Sequence, residues 1–185
     1  MKKWWGGRMG FLVAALVAGV LVYTVTLSPA SQAATKGSAE SMTIASGGPL
    51  DLTSEPAQAV LVGKNLAAQA ETLAPNQRIY LVLRDLHAAA QPATLYHVYL
   101  DLPQGSKPEK DDVHLAGLLN FYNAVPADGG TPASGQFRSF DVTMLVKNLL
   151  ERKALSNQTT VTVIPSGAPA SGANASIGRI EIAVQ

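Results

Sequence analysis

The feature that most constrains this chain is a period of two in its apolar residues, repeated in short runs from about residue 57 to the C-terminus. In a strand successive side chains point to opposite faces, so such alternation is what a half-buried strand requires. Arg78-Ile-Tyr-Leu-Val-Leu-Arg-Asp-Leu86 puts Ile79, Leu81 and Leu83 on one face and Tyr80, Val82 and Arg84 on the other. Leu95 to Asp101 sets Tyr96, Val98 and Leu100 against Leu95, His97, Tyr99 and Asp101. Further strands are expected over 113–122, 137–142, 159–164 and 177–184, with an edge strand over 59–62. In the last long run Ile180, Ile182 and Val184 should face inward and Arg179 and Glu181 outward.

Proline and glycine fall between these runs, at Pro92, Pro103-Gln-Gly105, 126–135 and 165–172. Short strands with such punctuation predict an all-β fold, an antiparallel β-sandwich of jelly-roll or Ig-like type. One segment departs from the pattern. Thr143 to Leu155 has Leu145, Val146, Leu149 and Leu150 at helical spacing, with Thr143 placed to cap the N-terminus and Arg152 and Lys153 at the negative end of the dipole. It reads as one short helix bridging two strands. Residues 65–73 read as a helix or a further strand.

The N-terminus is of another kind. Lys2, Lys3 and Arg8 precede a 17-residue uncharged run over 11–27, followed by Ser31-Gln32-Ala33. A basic start, an apolar helix and a small-x-small site mark a secretory signal peptide over 1–33, cleaved after Ala33. The alternative is an uncleaved membrane anchor, a transmembrane helix over 11–27 with Trp4 and Trp5 at the interface. Burial of the run as a core helix leaves the basic flank unexplained. Either main reading exports the rest, to the periplasm or the medium, or tethers it to the inner membrane. Residues 34–57, rich in Ala, Ser, Gly and Thr, are expected to form a flexible linker, leaving a β-sandwich domain over 58–185.

Composition narrows the function. With no cysteine there is no disulfide, thiolate metal site or thiol nucleophile. Without residues 1–33, 11 basic residues face 13 acidic ones, a formal charge of −2, which gives no long-range attraction to nucleic acid. No Gly-x-Ser-x-Gly elbow or phosphate loop is present, so no catalytic constellation emerges and the expectation is a non-enzyme. Glu109-Lys-Asp-Asp112 lacks the spacing and turn glycine of a calcium loop, and 127–135 reads as a plain loop. Asn157 and Asn174 open glycosylation-type triplets, meaningful only in a eukaryotic secretory route. The metal candidates are His97, His114 and His87, because imidazole on adjacent strands suits copper. A Cu(I) site could also invoke Met42 and Met144 as soft partners, but they are far apart in the chain. Tyr96, Tyr99, Phe121, Tyr122, Phe137 and Phe140 could form a protein- or sugar-binding patch, with Tyr99 the candidate for an outer face.

The order of segments resembles the C-terminal β-sandwich domain that follows the copper domain in tyrosinases and polyphenol oxidases. Tyr80-Leu-Val-Leu-Arg-Asp-Leu86 is similar to that domain's opening LVLxxL strand, and Tyr96-His-Val-Tyr-Leu-Asp-Leu-Pro103 to its YxVYLNLP strand. His114-Leu-Ala-Gly-Leu-Leu-Asn-Phe-Tyr122 resembles HVGxLxFFG, and Phe140-Asp-Val-Thr143 followed by Leu149 resembles FDVTxxLxxL. Val161-Thr-Val-Ile-Pro165 and Ile177-Gly-Arg-Ile-Glu-Ile182 are similar to its two closing strands.

The resemblance covers about residues 58–185. The departure is that type 3 copper needs two trios of His, whereas this chain has three His in all, so the oxidase domain is absent. The resemblance therefore implies an exported, non-catalytic accessory module that docks on or shields a separate copper oxidase, with no resident cofactor. Two alternatives stand beside it: an exported copper-binding or copper-delivery protein, and a membrane-tethered structural β module unrelated to copper.

Overall fold

A computed structural model describes residues 41–106, 108, 112–125 and 135–185. The signal peptide or anchor expected over 1–33, and the start of the linker, lie outside the described residues. So do residues 109–111 of the mixed charge run and residues 127–134 of the glycine-rich loop. Among the described residues no helix is long and apolar enough to cross a membrane.

The alternating runs form strands where they were expected. β5 spans Ile79–His87, β6 Tyr96–Leu100, β7 Leu115–Leu119, β8 Phe137–Asp141, β9 Thr160–Pro165 and β10 Ala175–Val184. Four strands precede them: β1 over Met42–Gly47, β2 over Leu50–Leu52, β3 over Ala57–Val60 and β4 over Val62–Gly63. Two antiparallel sheets result. The larger has the order β4-β1-β10-β5-β8 with β2 also on β10, and the smaller β3-β9-β6-β7. The fold is thus an antiparallel β-sandwich. Ile79, Leu81, Leu83, Ile180 and Ile182 of the larger sheet meet Tyr96, Val98, Leu100, Val161 and Val163 of the smaller in one buried cluster. Each such side chain contributes about 1.5–3 kcal/mol on burial, so the facing rows fix the register of both sheets.

The linker expected over 34–57 does not extend beyond residue 41. β1 pairs with β10 from Met42↔Val184 to Gly47↔Ile180, β2 pairs with β10 at 175–177, and Ile44, Ala45, Leu50 and Leu52 are buried. The larger sheet therefore takes in residues 42–47 and 50–52 as well. Backbone pairing with the C-terminal strand orders this stretch, and small side chains such as Ala45, Ser46 and Gly47 carry little pattern of their own.

Residues 66–71 resolve as helix α1 (Leu66–Glu71), whose first turn is capped by Asn65 Oδ1 accepting the Ala68 N–H at 2.9 Å. The expected bridging helix is α2 (Thr143–Glu151), with Val146 and Leu149 buried. Its capping differs from the sequence reading. The Thr143 hydroxyl instead turns to β5 and accepts the Ile79 N–H at 2.9 Å, and Asp141 Oδ1 accepts the Thr143 N–H at 2.9 Å. On the outer face of the larger sheet Glu181 is buried after all, ion-paired with Arg84 and with Arg179 at 3.4 Å.

Asp141 makes the start of α2 pH-sensitive. The Thr143 hydroxyl and backbone N–H, helped by the Arg78 charge and opposed by slight burial, hold its carboxyl below the ordinary value of 3.8. A depressed folded pKa contributes stability above the unfolded pKa that is lost as pH falls through the folded one. The expected result is a wild-type midpoint above that of Asp141→Asn at pH 6, with the gap narrowing as the pH falls through the ordinary carboxylate value of 3.8 and below it. Urea titrations of both proteins across that range check it.

Candidate functional site

The three histidines occupy different places. His87 closes β5 opposite Ser176 of the larger sheet. His114, 6% exposed, precedes β7; its Nδ1 is 2.9 Å from the Leu100 carbonyl, and its backbone N–H donates to Asp112 Oδ1 at 2.8 Å. These bonds make it a latch for the chain between β6 and β7. His97 lies in mid-β6 of the smaller sheet, with Nδ1 3.1 Å from Ser166 Oγ. Among the described residues no three His, Cys, Asp or Glu side chains group so as to hold a metal ion. Met42 and Met144 are both exposed, on β1 and at the start of α2.

What β6 does assemble is a strip on the outer face of the smaller sheet. Leu95, His97 and Tyr99 alternate outward, while Tyr96, Val98 and Leu100 fill the core. The rings of His97 and Tyr99 stack with centroids 6.2 Å apart and planes 26° apart. They form one wall of a trough of about 360 Å³, completed by Pro56, Ser106, Pro108, Ile164, Pro165 and Ser166. A second hollow of about 260 Å³, floored by Thr162 and bordered by Gln58 and Pro103, shares Pro56, Ser106 and Ile164 with it. Tyr99 was expected on an outer face and lies there, yet only 3% of it is exposed. Burial, with the Asp112 carboxylate adding, raises its phenol pKa.

At the other end of the strip Leu95 (45% exposed) and Tyr122 (78%) line an open cleft of about 490 Å³ with Pro92 and Asn120. Gln91 Nε2 donates to the Tyr122 carbonyl at 3.2 Å and so fixes the chain that carries this ring. Leu118 of β7, 49% exposed, is the register partner of His97. Of the other aromatics, Tyr96 and Phe121 are core residues meeting edge to face at 5.6 Å, and Phe140 is partly buried. Phe137 is exposed on the other sheet beneath the Arg84 guanidinium. The patch is therefore built from Leu95, Leu118 and Tyr122 rather than from the aromatics as a set. Leu118 was missed because its exposure depends on β7 being a sheet edge, although its alternation with Leu119 was visible.

The Tyr96 hydroxyl is buried without a hydrogen-bond partner among the described residues, and burial raises its pKa. An unsatisfied buried hydroxyl costs about 1–3 kcal/mol of desolvation. Tyr96→Phe is therefore expected to leave stability unchanged or raise it. A loss above about 1 kcal/mol in urea unfolding would show that the hydroxyl is bonded.

The chain is similar to solved polyphenol oxidases. A recombinant latent aurone synthase (polyphenol oxidase), co-crystallized with hexatungstotellurate(VI), shares 14% identity over 74% of this chain and 25% of its own, with a TM-score of 0.46. Latent apple tyrosinase shares 16% over 78% of this chain and 27% of its own, with a TM-score of 0.41. The chain thus spans about a quarter of the length of these structures. No curated protein matches it. A family model matches residues 23–185, and by that match the chain belongs to the family described as a domain of unknown function (DUF7868).

Proposed function

We propose that this chain is an exported, non-catalytic module that docks on a separately encoded copper oxidase and shields it. The docking surface is the outer face of the smaller sheet. The observation that carries the reading is the strip of Leu95, Leu118 and Tyr122 beside the ring-walled trough, large apolar side chains gathered on one sheet face. Aromatic and apolar anchors in or beside pockets are what binding hot spots are made of. The six segments that resemble the tyrosinase C-terminal domain fall, in order, on β5, β6, β7, β8 with α2, β9 and β10. The resemblance therefore runs through the framework that presents this face. Export follows from the basic and apolar N-terminus, which frees the domain in the periplasm or medium when cleaved and holds it at the membrane otherwise.

The test is binding of the full-length chain to a type 3 copper oxidase from the same organism, with and without Leu95→Asp and Leu118→Asp. Both positions are half-exposed, so the fold should tolerate the change. Each charge should weaken binding about tenfold or more, the effect of about 1.4 kcal/mol or more at an interface centre. Binding that both variants leave intact would overturn the reading. Tight 1:1 copper binding by the chain alone, lost in His97→Ala or His114→Ala, would replace it with copper handling.

A further inference from the structure

We infer that the open cleft at Tyr122 is a saccharide-binding site that holds one pyranose ring against the tyrosine face. Two stretches of chain form its walls. Residues 91–95 lie between β5 and β6, and residues 120–122 follow β7. Both walls are anchored by backbone bonds. The Ala170 N–H donates to the Pro92 carbonyl at 2.8 Å, the Ser166 N–H to the Leu95 carbonyl at 2.7 Å, and the Ala124 N–H to the Phe121 carbonyl at 3.1 Å. Gln91 Nε2 ties one wall to the other through the Phe121 carbonyl at 3.4 Å and the Tyr122 carbonyl at 3.2 Å. The cleft is therefore built before any ligand arrives, which lowers the ordering cost of binding. At about 490 Å³ it falls within the range of small-molecule sites, about 300–1,000 Å³.

The groups exposed in the cleft match a sugar rather than an apolar side chain. The Tyr122 ring is 78% exposed and offers a flat apolar face, against which the C–H face of a pyranose packs. Two amides line the same cleft, each pinned at one end only. Asn120 Oδ1 accepts the Tyr122 N–H at 3.3 Å and Arg138 Nη2 at 3.4 Å, which leaves Nδ2 without a partner among the described residues. Gln91 spends its Nε2 on the two carbonyls and keeps Oε1 as an acceptor. The Thr94 hydroxyl donates to the Leu95 carbonyl at 3.3 Å and keeps its lone pairs. A sugar hydroxyl both donates and accepts, so hydroxyls on one ring can serve the amide donor and the two acceptors together. An aliphatic or bare aromatic side chain would strip water from these groups and return nothing. Because the cleft is open, the far side of its occupant stays in water, which suits a ring with hydroxyls all round.

The experiment is a chemical-shift titration of the full-length chain, in a detergent without a sugar headgroup. The probes are methyl α-D-glucopyranoside, methyl β-D-galactopyranoside, maltotriose and N-acetyl-L-leucinamide. At least one methyl glycoside should shift the amides of Thr94, Leu95 and Tyr122 with a Kd of about 1–10 mM. The leucine probe should cause no saturable shift there. Maltotriose binding about fivefold or more tighter than the methyl glucoside would mark a glycan chain as the source of the ring, and equal affinity a free sugar. Tyr122→Ala should weaken the glycoside about fivefold or more with the thermal midpoint unchanged, because the ring is exposed. Asn120→Asp keeps the acceptor that holds the Tyr122 N–H and removes the donor, so it should cost about threefold or more. Leu118→Asp, which does not line the cleft, should bind the glycoside as wild type does, so sugar binding and oxidase docking are read separately. No shift with either methyl glycoside, equal shifts with the leucine probe, or glycoside shifts that survive Tyr122→Ala would overturn the inference.

Discussion

Replacing Asp101 by alanine is expected to destabilise the domain by about 3 kcal/mol, a fall of about 10 °C in its thermal midpoint. Asp101 is 5% exposed and stands just after β6. Its Oδ1 accepts the Thr160 N–H at 2.7 Å, its Oδ2 accepts the Ser156 N–H at 3.1 Å, and its own N–H donates to the Thr160 carbonyl at 2.9 Å. One carboxylate thus ties the loop after α2 to the start of β9. Truncation removes both charge-assisted bonds and leaves two backbone donors unpaired. The backbone adds to the cost, because Asp101 has φ of 50°, a left-handed conformation that aspartate tolerates better than alanine. Asp101→Asn keeps one acceptor and the backbone tolerance, so it should lose about half as much. Urea unfolding of the three proteins separates these cases; a loss below about 1 kcal/mol for alanine would show the loop is held by something else.

Gly63→Ala should have an effect of similar size, about 3 kcal/mol, from overpacking rather than from a lost bond. A Cβ at residue 63 would press on the Ile44 carbonyl oxygen and lie 2.5 Å from Ala45 Cα. Both are backbone atoms of β1, so no side chain can rotate away to make room. The segment cannot swing outward either, because buried Leu61 and Leu66 hold it on either side and the Lys64 N–H donates to the Ile44 carbonyl at 2.8 Å. Val62→Ala, one residue away and exposed, is the control and should stay within about 0.5 kcal/mol of wild type. A Gly63→Ala protein as stable as that control would mean β4 readily leaves the sheet.

These two positions also show where the sequence speaks and where it is silent. β5, β6, β9 and β10 were legible because each alternates large apolar residues such as Leu81, Leu83, Ile180 and Ile182 with others, a pattern local to each strand. β1 and β2 were not, because what orders Ala45, Ser46 and Gly47 is pairing with a strand more than 130 residues away. Nothing in the sequence singles out Gly63, and only the crossing of β4 against β1 shows why no side chain fits there.

The candidate site was legible in the same uneven way. The outward phase of His97 and Tyr99 could be read from β6. The near-complete burial of Tyr99 could not, since Pro56, Ser106 and Pro108 reach the same trough from distant parts of the chain. The histidines were candidates as a trio because strand register is invisible in sequence. Once paired, His87 belongs to one sheet and His97 to the other.

Docking of the smaller sheet's outer face on a separate copper oxidase, as proposed above, should shield that oxidase. The most direct measurement is the rate of phenol oxidation by that oxidase as increasing amounts of the full-length chain are added, with copper held in excess. The expected result is a saturable fall in rate that ends near equimolar chain, and a shift of at least about tenfold to higher concentration for Leu118→Asp. A rate that stays constant through a large excess of the wild-type chain, or an equal fall with Leu118→Asp, would contradict it.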